Sequence, residues 1–560
     1  MKGIKNICLV VAGALLFASC SKTIQDKQSN PNAPATVPSA LILGTVLNDM
    51  SGENGNSTSG ALGGVNSWDL VHQWNQYHCQ NYDYYGNNIY AWTDGSLNSA
   101  GGSSGPFNSY LVLKNVVQME NAVVGVDAGH ANPYEAIGRF VRAYYYYNLT
   151  SLMGDVPQTQ ALEAQANPTP SYTPQEQVFE YILDELDTAN SDFATLITNK
   201  DVTLSAAQDL FYAGNLAAWQ KLVNSFKLRV LISLSLQSSD ANLNVPARFA
   251  AVINNPATYP IFASQSDDFE FNYNPGGSST FSTYPFNPSN FGSIAGRYNM
   301  AYTYVNALTS LNDARVFVTC EPAQALVTAD TAKADSSSYY PARYKYFVGA
   351  STGLALGTMY SNASAGDYSF INRYRYYNSF TGEPDVLVGY KEMCFNIAEA
   401  IERGWISGNA ETWYKQGITT SMAFYGINVA DTSFTAYFLP GGASSLSQIT
   451  AYPFTFNFAT YYAQPSVQLS STAATALNQI VLQKYIACFQ NSGYEGYYNW
   501  RRTGIPAFQG GTGVGNNGVI PLRWAYPVTE QTQNTKNWSA AISNQGFSAD
   551  DLNQTMWLLK

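Results

Sequence analysis

Apolar residues at spacings of three and four, in paired segments divided by long polar stretches, constrain the fold of this chain more than any other feature. Ile137, Phe140, Val141, Tyr144 and Tyr147 share one face of one segment, and Leu216, Trp219, Leu222, Val223 and Phe226 share a face of another. This spacing predicts helices, and each apolar stripe needs a partner to cover it. The segment 110–126 pairs with 133–153 across a loop containing Gly129, and 384–403 pairs with 410–425 across Gly404 and Gly408. Such antiparallel hairpins are tetratricopeptide-like, although no strict period of about 34 residues is present. Between the pairs lie stretches rich in Gly, Ser, Asn, Thr and Tyr, at 256–298, 321–383 and 428–471. In a compact domain, loops beyond about 15 residues are functional or carry small local structures such as hairpins. The expected fold is mainly α, an irregular helix-pair scaffold with long loops and small β elements, in one domain over residues 39–560.

The N-terminus has a different logic. Lys2 and Lys5, the apolar run 7–18 and Ser19-Cys20 follow the order of a bacterial secretory signal. The run is shorter than the roughly 20 residues that span a bilayer, and no later segment approaches that length. Leu16-Phe17-Ala18-Ser19-Cys20 resembles a lipobox, in which small residues precede a cysteine that is diacylated and becomes the new N-terminus. Residues 1–19 are expected to be the leader and Cys20 the lipid anchor. Residues 20–38, polar and rich in Asn, Pro, Gln and Ser, are expected to form a flexible tether.

Charge narrows the choice of partners. Removing Lys2 and Lys5 from 28 Lys and Arg leaves 26 basic against 39 acidic residues, about −13. Binding to a phosphate backbone needs clustered Lys and Arg, so nucleic acid is not an expected partner. Beyond Cys8 and Cys20, the four remaining cysteines (Cys79, Cys320, Cys394 and Cys488) are too scattered for a disulfide framework, although one or two bridges stay open.

Charged residues are only 12% of the chain against about 25% in a typical soluble domain, whereas aromatics reach 14%, with 41 Tyr exceeding 28 Phe. Tyr joins a large apolar face to a polar tip, which suits surfaces that are apolar on one side and wet on the other. The densest cluster is Trp68-Asp69, His72, Trp74-Asn75, Tyr77-His78, Tyr82-Asp83-Tyr84-Tyr85, Tyr90, Trp92 and Asp94. Aromatic faces stack on the C–H faces of sugar rings, and short polar side chains hydrogen-bond hydroxyl groups, so this mixture fits a glycan cleft. The candidate glycan-binding residues are Trp68, Asp69, His72, Trp74, Asn75, Tyr82, Tyr84, Tyr85 and Trp92, joined by Tyr298 and Tyr302 from a second set beside Arg297. A helix from 68 to 77 would place Trp68, His72 and Asn75 on one face. A third set, Arg373-Tyr374-Arg375-Tyr376-Tyr377, alternates like one face of a strand. Core packing is the competing reading for every one of these aromatics, and the plainer reading for the second and third sets, because aromatics favour strands on intrinsic grounds.

Catalytic patterns occur without their contexts. Gly101-Gly102-Ser103-Ser104-Gly105 matches G-x-S-x-G but lacks the flanking strand and helix of a nucleophile elbow. Gly513-Val514-Gly515-Asn516-Asn517-Gly518 matches G-x-G-x-x-G, again without the strand and helix that shape a phosphate loop. His72, His78 and His130 form no zinc-site spacing, so neither a metal nor a cofactor is expected. Glu392, Glu399 and Glu402 read as a solvated face or as scaffold ion pairs.

Four segments, in order, resemble the SusD/RagB family and especially its SusD-like branch. They are Asn30-Pro31-Asn32-Ala33-Pro34 leading to Ser39-Ala40-Leu41-Ile42, Arg142-Ala143-Tyr144 through Leu149 to Gly154-Asp155-Val156-Pro157, Ala398-Glu399-Ala400-Ile401-Glu402-Arg403-Gly404-Trp405 through Trp413-Tyr414, and Tyr494-Glu495-Gly496-Tyr497-Tyr498-Asn499-Trp500-Arg501-Arg502 with Ile520-Pro521-Leu522-Arg523-Trp524. Gln158 and Ala314 depart from the usual pattern. Ser21-Lys22-Thr23 follows the cysteine where the family's sorting signal is acidic. The resemblance implies a helical scaffold without catalysis, held at the outer membrane by its lipid and facing outward. It also implies a lid position on a TonB-dependent barrel transporter of the SusC type, with an oligosaccharide held between the two. A peptide-binding member of the family and a surface glycoside hydrolase are the alternatives. The hydrolase would need paired carboxylates about 5–9 Å apart.

Overall fold

The computed structural model describes residues 37–51, 70–81, 107–123, 131–200, 203–275, 283–329, 344–440 and 443–560. The leader, nearly all of the tether, the Gly101–Gly105 pattern and His130 lie outside them.

The first half is a stack of helices. α1 (Ser39–Met50) packs on α3 (Ser109–Asn121), with Ser39 Oγ donating to the Met119 carbonyl at 2.9 Å. Between them in sequence come the short α2 (Leu70–Trp74) and β1 (His78–Gln80). α4 (Pro133–Met153) begins where Asn132 Oδ1 accepts from the Glu135 amide at 2.8 Å. Pro133 occupies the first helical position, where its missing N–H loses nothing. Tyr144, Tyr145, Tyr146 and Tyr147 are all buried, which requires neighbours all round the helix. These neighbours are α3, α5 (Gln175–Asn199) and α6 (Leu216–Ser233). α4 ends at Gly154, whose φ of +95° suits only glycine and where a Cβ would lie 2.0 Å from Gln545 Oε1. The Gly-Asp-Val-Pro turn that follows is held by Asp155, whose carboxylate accepts the Gln175 amide at the start of α5, and by β2 (Val156–Pro157) paired with β3 (Tyr172–Thr173).

After α7 (Val245–Asn254), β4 (Phe269–Phe271) and β5 (Tyr298–Met300), the second half is built on α8 (Tyr302–Ser310), β6 (Asp385–Val388), α9 (Tyr390–Glu402) and α10 (Ala410–Phe424). α9 and α10 form the expected hairpin. Asn409 caps α10 at the Thr412 amide, and Gly417 sits where a Cβ would meet the Phe395 ring at 2.6 Å. A hairpin of β7 (Ser433–Phe438) and β8 (Thr450–Thr455) precedes α11 (Ala473–Ala487) and α12 (Glu495–Thr503). Among the described residues the sheets are four antiparallel pairs: β1 with β5, β2 with β3, β4 with β6, and β7 with β8.

Two local expectations change. Residues 384–389 are not the start of a helix, because Val386, Leu387 and Val388 are fully buried as β6 and pair with β4 before α9 begins. Arg373–Tyr377 is a short helix and not a strand. Asn372 Oδ1 accepts the Arg375 amide at 2.8 Å, and the helical turn carries both Tyr376 and Tyr377 inward. The four cysteines are buried and joined in no disulfide. Two hydrophobic clusters result, one around α1 and α3–α7 and one around α8, α10, α11 and the β7·β8 hairpin, with Phe211, Trp413 and Phe508 packed against both.

Candidate functional site

Of the candidate glycan-binding residues, Trp68, Asp69, Tyr82, Tyr84, Tyr85 and Trp92, like the anchor Cys20, lie outside the described residues. The structure places the other five. Trp74 is 1% exposed and meets Trp524 edge-on at a centroid distance of 4.1 Å. Asn75 is fully buried, donates to the Gly493 carbonyl at 2.8 Å and accepts the Tyr497 amide at 2.8 Å. Trp74 also packs on the Tyr497 ring at 6.2 Å, so both side chains fasten the start of α12 to α2. His72 is buried, with no hydrogen-bond partner for either ring nitrogen among the described residues, its ring 5.7 Å from that of His78. Burial, then the neighbouring His78, drives its pKa well below the usual histidine value, so the ring is neutral. Tyr298 is buried in β5, opposite Gln80 of β1. Tyr302 alone of the five reaches the surface, at 41% exposure.

Tyr302 opens α8 immediately after the β1·β5 pair, so its position is fixed by backbone. Its amide donates to the Ala350 carbonyl at 2.8 Å, and Gly349 lies so close beneath that a Cβ there would be 2.5 Å from the Tyr302 Cα. The chain then runs through Ser351 and Thr352 to Gly353, which interlocks with the glycine-rich loop 509–518. A Cβ on Gly353 would meet the Gly510 carbonyl at 2.0 Å, and one on Gly513 the Leu354 carbonyl at 1.9 Å. The G-x-G-x-x-G pattern thus serves close backbone packing of two loops, and glycine is required there by contact and not by a phosphate.

Gln76, which no sequence pattern singles out, ties these parts together. It has a left-handed backbone (φ 54°) just past α2. Its carbonyl oxygen accepts from the Thr303 hydroxyl at 2.6 Å and the Gln509 amide at 2.8 Å, and its NH2 donates to the Gln509 carbonyl at 3.0 Å. Thr352 donates to that same carbonyl at 2.6 Å. One amide side chain thereby joins α2, α8 and the glycine loop beside Tyr302. The sequence at Trp68 leads into α2, and the sequence from Tyr82 follows β1.

Elsewhere the polar interior is filled. Arg229 pairs with Glu392, which also accepts from Ser492. Lys484 reaches Glu495 at 3.3 Å, Tyr147 donates to Glu495 at 2.7 Å, and Arg502 pairs with Glu399. Burial alone would raise Glu399, but the Arg502 and Arg403 guanidinium groups hold it down at about 2. Glu392 and Glu399 are thus buried scaffold ions and no solvated face, while Glu402 is half-buried. The crevice beside this network, lined by Tyr147, Glu495, Arg502 and Leu558, has room for about one water and none for a sugar ring.

A family model described as starch-binding, associating with the outer membrane, matches residues 31–527. No curated protein matches the chain. Among solved structures, a SusD homologue from Bacteroides fragilis NCTC 9343 is 26% identical with a TM-score of 0.72, covering 94% of this chain and 100% of its own. An outer membrane protein from Bacteroides vulgatus ATCC 8482, whose name associates it with nutrient binding, is 27% identical with a TM-score of 0.70 over the same shares. A chitin-binding SusD homologue from Flavobacterium johnsoniae, 18% identical over 93% of this chain and 98% of its own with a TM-score of 0.66, shares the fold.

Proposed function

Because the chain belongs to the SusD-like family, we propose that it captures oligosaccharides at the outside of the outer membrane, leaves them chemically unchanged, and passes them to a SusC-type TonB-dependent transporter. The observation that carries the reading is Tyr302, exposed at the start of α8 on a backbone that the Ala350 carbonyl and the close approach of Gly349 hold in place. An exposed ring on a constrained backbone is a suitable stacking platform for a sugar. His72, Trp74, Asn75 and Tyr298 act in this reading as the support behind the site. Trp68, Asp69, Tyr82, Tyr84, Tyr85 and Trp92 remain proposed contacts. The engagement of Glu392, Glu399 and Glu495 by buried cations supports binding over hydrolysis, since none is left to act as an acid or a base at the surface. Cys20 is the proposed lipid anchor, and acyl labelling lost on Cys20→Ala would establish it.

The test is calorimetry with a panel of oligosaccharides together with product analysis. Binding without turnover is expected, and Tyr302→Ala should weaken it by more than about 1 kcal/mol, as for an interface hot spot, with the melting temperature unchanged. A protein that ignores every glycan and binds peptides, or one that releases shortened sugars, sinks the proposal.

A further inference from the structure

We infer that Asp268 and Lys391 form a proton-operated clasp across the seam between the two hydrophobic clusters, tighter in mild acid than at neutral and alkaline pH. The seam runs through β4, where Phe269 belongs to the first cluster and Phe271 to the second, and through α9, where Met393 and Ile397 belong to the first and Phe395 and Ala398 to the second. Asp268 stands just ahead of β4, and Lys391 lies in the first turn of α9. The Asp268 side chain is buried and accepts the Tyr390 amide at 2.5 Å, and a Cβ on Gly389 would lie 3.8 Å from both of its oxygens, so it closes the start of α9. Lys391 is fully buried as well. Its ammonium nitrogen lies 3.5 Å from the centre of the Phe424 ring, at the end of α10, and has no hydrogen-bond partner among the described residues.

The charged and titratable neighbours decide which way the clasp works. Around Asp268 stand Asp267 and Glu270 from its own segment, Tyr390, Lys391 and Cys394 from α9, and Tyr212 from the loop before α6. Lys221 of α6 engages Asp267 at 2.8 Å. Around Lys391 stand Asp268, Glu270, Glu383, Cys488 and Arg375, the last paired with Glu383 at 2.6 Å. Taking a carboxylate out of water disfavours its charged form. Burial pushes Asp268 up from 3.8 to about 7, against the pull of the Tyr390 amide and Lys391, and Glu270 and Asp267 push the same way as burial. Burial likewise lowers Lys391, while Asp268 and Glu383 draw it back up. In mild acid the protonated Asp268 still offers an oxygen to the Tyr390 amide, and no anion is buried ahead of β4. Loss of that proton places a charge between Glu270 and Asp267, answered only across the seam by an ammonium that rests on a ring. Because the folded value lies above the unfolded one, the folded chain keeps a proton that the unfolded chain has lost between pH 3.8 and 7. The stability this supplies is complete below pH 3.8, drains as the pH rises through that window and is gone above it.

The experiment is urea unfolding of the full-length protein in a non-ionic detergent, at pH 5, 6, 7 and 8. Asp268→Asn keeps an oxygen for the Tyr390 amide and never takes a charge. Its folding constant, divided by that of the parent, should climb about tenfold per pH unit from 5 to 7 and level off beyond. The ratio cancels groups that titrate in both proteins, such as Asp155, which burial pushes up to about 6. With Lys391→Met in both, an apolar stem still covers Phe424 but the cation is gone, so the same climb should continue past pH 7. A flat ratio, or a variant less stable than the parent at pH 8, would overturn the clasp, and a climb that ends at the same pH with Lys391→Met would overturn the pairing. If Asp268→Asn does not fold, hydrogen exchange of the parent decides. Once the intrinsic pH dependence is removed, the amides of residues 388–395 should lose protection between pH 6 and 8 relative to those of α5, and unchanged protection overturns the inference.

Discussion

Asn75 and Tyr302 were nominated by the same chemistry, yet they do opposite work. Asn75 closes two hydrogen bonds in the interior, to the Gly493 carbonyl and from the Tyr497 amide. Asn75→Ala leaves both backbone groups buried without their partner, and at about 1–3 kcal/mol for each such group the loss should be about 2–6 kcal/mol. Urea denaturation measures it, and glycan affinity of the folded variant should match the parent. Tyr302→Ala should do the reverse, with stability within about 0.5 kcal/mol of the parent, as at an ordinary surface position. A sequence cannot separate these two residues, because an aromatic or an amide at helical spacing looks the same whether it faces solvent or Trp524. Gln76 was illegible for a related reason: its role comes from contacts to residues more than 200 positions away.

At the scale of elements, α9 presents Glu392 and Glu399 seven positions apart on one face, and each holds a buried arginine from another helix, Arg229 of α6 and Arg502 of α12. The folded pKa of Glu399, about 2, lies below its ordinary 4.5. Its pairing therefore stabilises the fold fully above pH 4.5, and this contribution, about 3 kcal/mol, is withdrawn as the pH falls from 4.5 towards 2. Glu399→Gln should be less stable at neutral pH, because Arg502 loses its counter-charge, and should show a flatter decline in stability over that acid range in denaturant melts. Both hairpin helices were legible from apolar spacing and from glycines at their turns. β6 was not, because a short apolar run reads equally as a buried strand or as a helix end until its partner is known. The helix at Arg373–Tyr377 was missed because alternation over five residues is too short to outweigh a capping asparagine.

Across the whole molecule, the C-terminal segment closes the helical stack formed by the first half. The Trp524 amide donates to the Leu152 carbonyl, the Leu558 amide donates to Gln175, and Gln237 donates to the Trp557 carbonyl. Removing residues 557–560 exposes the ground under Leu558 and strips the last two of these bonds, at a cost of about 2–3 kcal/mol from the side chain alone. A lowered midpoint in urea would register it, and an unchanged one would mean that the closure is ornamental. This architecture was legible because its motifs stand in a fixed order along nearly the whole chain. The binding face was legible only in part, since exposure depends on how distant segments meet.

The four cysteines described in the fold carry a practical consequence. Burial pushes the Cys320 and Cys488 thiols up to about 12, and all four sulfurs are shielded from solvent. A chain beginning at Ser21 should therefore behave alike with and without reductant and resist maleimide while folded. Its surface is a silent background on which one engineered thiol would take a fluorophore cleanly.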